Sequence, residues 1–417
     1  MKLFVLAITA LFALSSWLFA KDAPFEIGNG MLFTGYHASL RCPNDGSAAK
    51  NYEAFAVNSC KVDMWPDTAE YVKNYETQFS YPNGEKAYIF SSYDFESVDL
   101  HFKWMRQYGI DGAFLYRKIG QLNKKSPEYG DYVKVLSNAK AAAEQNKVGF
   151  ALSYYLDGEV SAAELIDDWQ SLSKAAKLFE SANYMRCNAK PLVCIWGAGF
   201  TGATFKTKLS QIEKFAEFLK SQNCSVMFVV HENFRTLNTD SAKEMRGLLE
   251  KYADVIMPWN VGRCSVDKTG LRAVLYGKTP LNKLVSDDIE WCSNKKIMYF
   301  ASIYAGFSWY NKTKGKGLPK SFSKLDKVPR KRGALLWAMA RSCVEGGAQC
   351  LYIADFDDIG EATAIYKLSS TPPNVGETRF VALEDSLKSD WYLHLASRIR
   401  EMLKSGETFN MPAESEK

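Results

Sequence analysis

Short apolar runs recur along this chain, and longer stretches with apolar residues at helical spacing lie between them. The clearest unit runs from Ser97 to Arg117. Ser97 is a candidate N-cap, Val98, Phe102, Trp104 and Met105 repeat with a helical period, and Gly109 can end the helix. Ala113-Phe114-Leu115-Tyr116 then reads as a buried strand. Further strands are predicted at Met31 to Tyr36, Val148 to Tyr154, Leu192 to Trp196, Val226 to Val230, Val255 to Trp259, Ile297 to Ile303 and Cys350 to Ala354. Helical patterns such as Gln211 to Lys220 and Ala334 to Arg341 precede most of them. About eight alternating units is the count a closed parallel barrel requires, so the prediction is α/β, a single-domain (β/α)8 (TIM) barrel. An open doubly wound sheet alternates in the same way, but no Gly-rich phosphate loop follows the first strand.

The N-terminus departs from this pattern. Lys2 precedes a nearly unbroken apolar run from Leu3 to Phe19, which ends at Ala20 before Lys21-Asp22. The run is short for a bilayer span and is expected to be an export signal cut near Ala20. The expected organisation is a signal over 1–20, a linker over 21–30, the barrel over 31–405 and a tail over 406–417. The mature protein is then secreted or periplasmic, with no stable membrane insertion.

Lys and Arg number 52 against 47 Asp and Glu, a net charge of +5 that is too mild to argue for nucleic acid. The basic stretch from Lys312 through Lys320 to Lys331-Arg332 reads as a solvated connection. Among nine cysteines, Cys42/Cys60, Cys187/Cys194 and Cys343/Cys350 are close enough in sequence to pair. No zinc-type spacing occurs, so neither metal nor cofactor is expected. Asn311-Lys312-Thr313 is a glycosylation sequon, meaningful only in a eukaryotic secretory route.

Barrel chemistry gathers just past the C-terminal ends of the strands. Those positions hold Tyr36-His37, Tyr116-Arg117, Tyr155 with Asp157, Trp196-Gly197, His231-Glu232, Trp259-Asn260, Tyr304 to Trp309, and Asp355 to Glu361. Aromatics interleaved with carboxylates suit a sugar, whose C–H faces stack on rings while its hydroxyls take polar partners. Asp358 and Glu361 stand close on the turn leaving the last strand. Such a pair can divide the acid and base roles of glycosidic cleavage. A solvated turn or a calcium loop fits the same residues equally well.

The segment Asp357-Asp358-Ile359-Gly360-Glu361-Ala362-Thr363 resembles the Asn-Glu-Trp-His-Glu-Gly-Thr motif of glycoside hydrolase family 99, the endo-α-1,2-mannosidases and mannanases. It is even more similar to the bacterial family 71/99-like branch. Asp63-Met64-Trp65-Pro66-Asp67, His101 to Met105 with Tyr108 to Gly112, Pro191 to Phe200, Pro258-Trp259 with Val261 to Arg263, and Gly306 to Trp309 extend the resemblance in barrel order. By position, Asp357 stands for the motif's Asn, Asp358 for its first Glu and Glu361 for its second. The resemblance implies that the first carboxylate deprotonates the sugar 2-hydroxyl, giving a 1,2-anhydro intermediate, while the second protonates the leaving group. Two departures matter: Asp358 is one methylene shorter than Glu, and Ile359-Gly360 replaces Trp-His.

The reading is therefore a secreted glycoside hydrolase acting on a polysaccharide or oligosaccharide, α-linked and mannose-related by analogy. Asp358 and Glu361 are its catalytic candidates. Substrate-binding candidates are Asp357, Trp65, Asp67, Arg117, Asp157, Trp196, His231, Trp259, Arg263, Tyr304 and Trp309. Several carry an alternative: Trp65 pins its loop, Arg117 forms a structural ion pair, and His231 is a satisfied hydrogen-bonding residue. Competing readings are a carbohydrate-binding barrel that has lost turnover and a barrel enzyme of unrelated chemistry.

Overall fold

The computed structural model describes residues 23–48, 54, 56–202, 204–314, 324–373 and 375–414. The expected export signal and the centre of the basic stretch lie outside the described residues.

Eight strands run parallel: β1 (Met31–Tyr36), β2 (Gly112–Lys118), β3 (Gly149–Tyr155), β4 (Lys190–Ala198), β5 (Ser225–His231), β6 (Val255–Trp259), β7 (Met298–Tyr299, resumed at Ala301–Ile303) and β8 (Cys350–Ile353). The two halves of β7 close the ring, the first pairing with β6 and the second with β8. One long helix follows each strand: α1 (Phe95–Gln107), α2 (Pro127–Asn146), α3 (Ala162–Ala175), α4 (Leu209–Ser221), α5 (Asp240–Tyr252), α6 (Leu281–Ser293), α7 (Ala334–Glu345) and α8 (Trp391–Ser405). This is the (β/α)8 barrel. Its strands are apolar on both faces because one face fills the barrel and the other lies under helices; all four residues of β8 are buried.

The first helix begins earlier than the sequence suggests. Asp94, not Ser97, is at its N-cap, and the Asp94 carboxylate is engaged by Tyr75 Oη (2.8 Å) and Lys73 rather than by helix amides. Ser97 is buried in the first turn. Gly109 has φ +75°, the left-handed conformation in which a side chain is disfavoured, just beyond the helix end as expected.

Two segments expected to be peripheral are fixed. Phe25 and Ile27 donate backbone hydrogen bonds to Ala182 and Arg186, and the Phe25 ring closes on Gly149. A Cβ on Gly149 would meet that ring at 2.8 Å, so the glycine makes room for it. The stretch from residue 406 runs back over α7, where Trp337 Nε1 donates to Phe409 O (3.3 Å) and Arg332 pairs with Glu414. All nine cysteines are buried thiols, and none of the three close pairs is bonded. Among the described residues no helix is long and apolar enough to cross a membrane.

Candidate active site

At the C-terminal end of the barrel, side chains from five of the strands meet in a ring. Tyr116 of β2 touches Tyr155 of β3, at 5.7 Å between centroids. Tyr155 lies against Trp196 of β4 (4.4 Å), Trp196 against Trp259 of β6 (4.9 Å), and Trp259 against Tyr352 of β8 (6.3 Å). Tyr352 and Tyr116 close the circuit through their hydroxyls, 2.8 Å apart. The strand ends thus build an aromatic floor with polar groups at one margin.

Gly35 of β1 makes that margin possible. A Cβ there would stand 1.9 Å from Asp355 Oδ1 and 2.4 Å from the Tyr352 hydroxyl, so no other residue leaves space for them. Tyr116 Oη donates to Asp355 Oδ1 (3.0 Å), and His37 Nε2 lies 3.3 Å from Asp355 Oδ2. The same His37 nitrogen is 3.7 Å from Asp358 Oδ2. Burial by itself pulls the His37 imidazole down. The charges of Asp358 and Asp355 overcome that and push it up to about 9. Burial raises the Asp355 carboxyl, and His37 and Tyr116 partly offset the rise. His37, Asp355 and Asp358 offer one nitrogen and two oxygens within 4.8 Å of one another, a donor set a divalent cation could use. The imidazolium already supplies positive charge between these carboxylates.

Asp358 and Glu361 share one turn, the Glu361 amide donating to Asp358 Oδ1 (3.0 Å). Gly360 between them permits the tight approach, since a Cβ there would sit 3.1 Å from that oxygen. The Glu361 carboxylate pairs with Lys312 (3.2 Å), whose ammonium also lies over the Trp309 ring. Burial raises the Glu361 carboxyl above its ordinary value; Lys312 and the Trp309 indole oppose this, and Asp358 adds to it. The pocket therefore holds two neighbouring carboxyl groups with different partners, one facing an imidazolium and the other shielded and raised.

Two buried charges brace these loops. Asp63 accepts from Ser308 Oγ (2.6 Å), Tyr310 N (2.6 Å) and Asn311 N (2.8 Å), while its own amide donates to Ile359 O. Through its carboxylate and its amide, one residue thus ties the loop carrying Trp309 and Lys312 to the loop carrying Asp358 and Glu361. Arg330 reaches in from below and donates to Ala362 O (3.1 Å) and Ala364 O (2.9 Å).

The predicted residues divide. Trp196 and Trp259 lie in the floor, and Trp309 flanks Glu361. Asp157 sits at the rim, its carboxylate accepting from Ile119 N (3.1 Å). His231 and Arg263 form a second polar group around the buried Glu232. Arg263 pairs with Glu232 at 3.2 Å, and the Tyr276 hydroxyl donates to the same carboxylate. His231 Nδ1 accepts from Asn233 N (3.2 Å), and burial lowers this imidazole against the opposing pull of Glu232.

Five residues are engaged elsewhere. The Asp357 carboxylate accepts from His37 N (2.8 Å) and Ala38 N (2.7 Å), holding the loop after β1 rather than presenting itself to a ligand. Trp65 is buried between Phe79 and Phe380 and pins its loop. Asp67 accepts from Ala69 N within its own turn. Arg117 points away from the barrel interior and pairs with Asp168 of α3, both side chains buried. Tyr304 has its hydroxyl bound to both backbone groups of Cys264. The sequon residue Asn311 is buried too, with its amide donating to Val62 O and Arg379 O.

The site also contains groups that were not singled out as candidates. His37, Asp355 and Tyr155 were visible as strand-end residues, whereas Lys312 lay in a run read as solvated. Asp63 was visible only as part of a motif.

No family model and no curated protein matches the chain. Solved structures do. A GH99 endo-alpha-mannosidase from Bacteroides thetaiotaomicron superposes with a TM-score of 0.62 at 12% identity, covering 91% of this chain and 99% of that one. A second structure of a GH99 endo-alpha-mannosidase, in complex with bis-tris-propane, gives 0.62 at 11% identity, covering 91% and 98%. A chain described as a glycoside hydrolase-like protein gives 0.51 at 12% identity, covering 91% and 97%. This chain has the GH99 fold. At such identity the likeness concerns the barrel and its connections, and the chemistry has to be argued from the pocket.

Proposed function

We propose that the protein is a glycoside hydrolase that cleaves an α-linked, mannose-related glycan outside the cytoplasm, after removal of residues 1–20. The observation that carries this reading is the pairing of Asp358 and Glu361 on one turn above an aromatic floor. Glycosidic cleavage needs one carboxyl that retains a proton for the leaving oxygen and a second that acts as base or nucleophile. Glu361 is raised by burial and suits the acid. Asp358, with one oxygen toward His37, suits the base. Trp259 and Trp309 are half-buried, leaving ring surface for a pyranose to stack on.

The test is incubation of the purified protein with mannose-containing and other α-linked glycans, followed by detection of released sugar. Glu361→Gln keeps the shape and removes the proton, so turnover should fall by roughly 10²–10⁴-fold with substrate still bound. The loss should shrink for substrates with good leaving groups. A wild-type protein that binds glycans and hydrolyses none defeats this reading in favour of a carbohydrate-binding barrel.

A further inference from the structure

His37 has more contacts than a bystander at the mouth needs. Its backbone amide is fixed by Asp357 Oδ1 (2.8 Å), and its ring lies 4.4 Å from that of Tyr116. Its Nε2 stands between two carboxylates from one loop, Asp355 at 3.3 Å and Asp358 at 3.7 Å. Asp355 is itself held by Tyr116 Oη (3.0 Å) and cannot follow a moving partner. Asp358 is held at its other oxygen by the Glu361 amide, and at its backbone carbonyl by Thr363 N and Ala364 N (3.1 Å each).

We propose that His37 is a positioning residue of this site, a clamp whose Nε2 holds the short base carboxylate Asp358 against the buried Asp355. The proposal rests on the hydrolase reading for its kinetic consequence, but not for the clamp itself. An aspartate carries its carboxylate closer to the backbone than a glutamate does, so its reach depends on how firmly its turn is held. A base misplaced by about 1 Å loses on the order of 10²-fold in rate. The charged groups facing His37 are Asp358 and Asp355, which favour its protonated form, and Lys118, which opposes it; Asp357 accepts from the His37 backbone amide. The net balance leaves the imidazole charged through neutral pH.

The decisive measurement is NMR titration of the His37 ring in the full-length protein, in EDTA and with added Zn2+ or Mg2+. In EDTA His37 should titrate near 9, and in Asp358→Asn its midpoint should fall by about one unit or more, because one of its two anionic partners is gone. A His37 that titrates near the ordinary histidine value, or does not respond to Asp358→Asn, overturns the clamp. So does a ring that binds the added cation in place of a proton and supports turnover only then. In kinetics, His37→Gln keeps a hydrogen-bonding side chain without the charge and should lower kcat by about 10–100-fold with little change in KM. Unchanged kcat in a folded His37→Gln protein also overturns it. If His37→Gln fails to fold, the Asp358→Asn titration decides alone. A wild-type protein that hydrolyses nothing defeats the hydrolase reading, while the titration still decides the clamp.

Discussion

Consecutive residues at the strand ends point to opposite sides of the barrel wall, and the two sides treat polar groups differently. Tyr36 points outward and meets His101, whose two ring nitrogens are taken by Tyr36 Oη (2.8 Å) and Tyr71 Oη (2.6 Å). The next residue, His37, points inward and meets two aspartates. Burial pulls His101 down to about 3, whereas Asp358 and Asp355 outweigh burial at His37 and hold it near 9. On β2 the inward Tyr116 reaches Asp355, while the outward Arg117 is closed off by Asp168 and stacked over Tyr132 at 4.3 Å. On β3 the outward Tyr154 joins the same Asp168. The outward networks are sealed from solvent around paired charges, Arg117 against Asp168, although Arg117 Nη1 and the Tyr132 hydroxyl have no hydrogen-bond partner among the described residues. The inward one brings three carboxyl groups to a mouth with fewer cations, a surplus of acceptor capacity that a structural cluster does not need.

The strongest test of this division is a pair of isosteric changes, one on each side. Asp358→Asn should reduce turnover by roughly 10²–10⁴-fold, about 3–5 kcal/mol of transition-state stabilisation, and cost no more than about 2 kcal/mol of stability. Good leaving groups should not rescue it, because a base is needed whatever departs. Asp168→Asn should do the reverse. It leaves Arg117 charged and buried with a weakened partner, so stability should fall by about 3–5 kcal/mol in denaturant titrations while kcat per folded molecule is kept. Equal damage to activity from both changes would erase the distinction between the two faces.

That distinction was hardly visible in the sequence, and the reason is physical. The strands and their number were legible because each is a dense apolar run between amphipathic stretches. The same density hides the phase, since a strand buried on both faces shows no alternation from which to read inside and outside. Arg117 and Tyr116 were therefore equally eligible for the mouth, and it is the ion-pair alternative for Arg117 that the structure holds. Tyr304 lies just past the end of β7, and its hydroxyl is taken by the backbone of Cys264. The carboxylate turn was legible because Asp358 and Glu361 are close in sequence, but His37 meets Asp355 across 318 residues. The structural partners of Asp357 were hidden because they are backbone amides, which carry no sequence signature. Trp65 offered two readings at once, and only its packing against Phe79 and Phe380 separates them.

A smaller effect separates two tryptophans. Trp309→Ala should weaken binding of a cleavable oligosaccharide by about 1–3 kcal/mol, measured by fluorescence titration, with a modest change in melting temperature. Trp65→Ala empties a buried space and should lower stability without changing affinity in the folded fraction. Unchanged affinity in Trp309→Ala with lost stability would place Trp309 with Trp65 as a packing residue.

The smallest expected effect is on stability against pH, and it returns to the two histidines. His37 has a folded value of about 9, above the ordinary 6.5 of an unfolded histidine. Its contribution is therefore fully present below about 6.5 and is lost as pH rises through about 9. His101 has a folded value of about 3, so its contribution is present above about 6.5 and is lost as pH falls toward 3. The wild-type protein should lose stability at both ends for separate reasons. Asp358→Asn should flatten the alkaline side by up to about 2 kcal/mol between pH 7 and 10, because His37 then starts lower. It should leave the slope below pH 6 unchanged, since His101 lies on the other side of the wall with only tyrosine hydroxyls as partners. Melting curves of the two proteins from pH 4 to 10 would show this; a parallel shift of the whole profile would mean that Asp358 does not set the titration of His37.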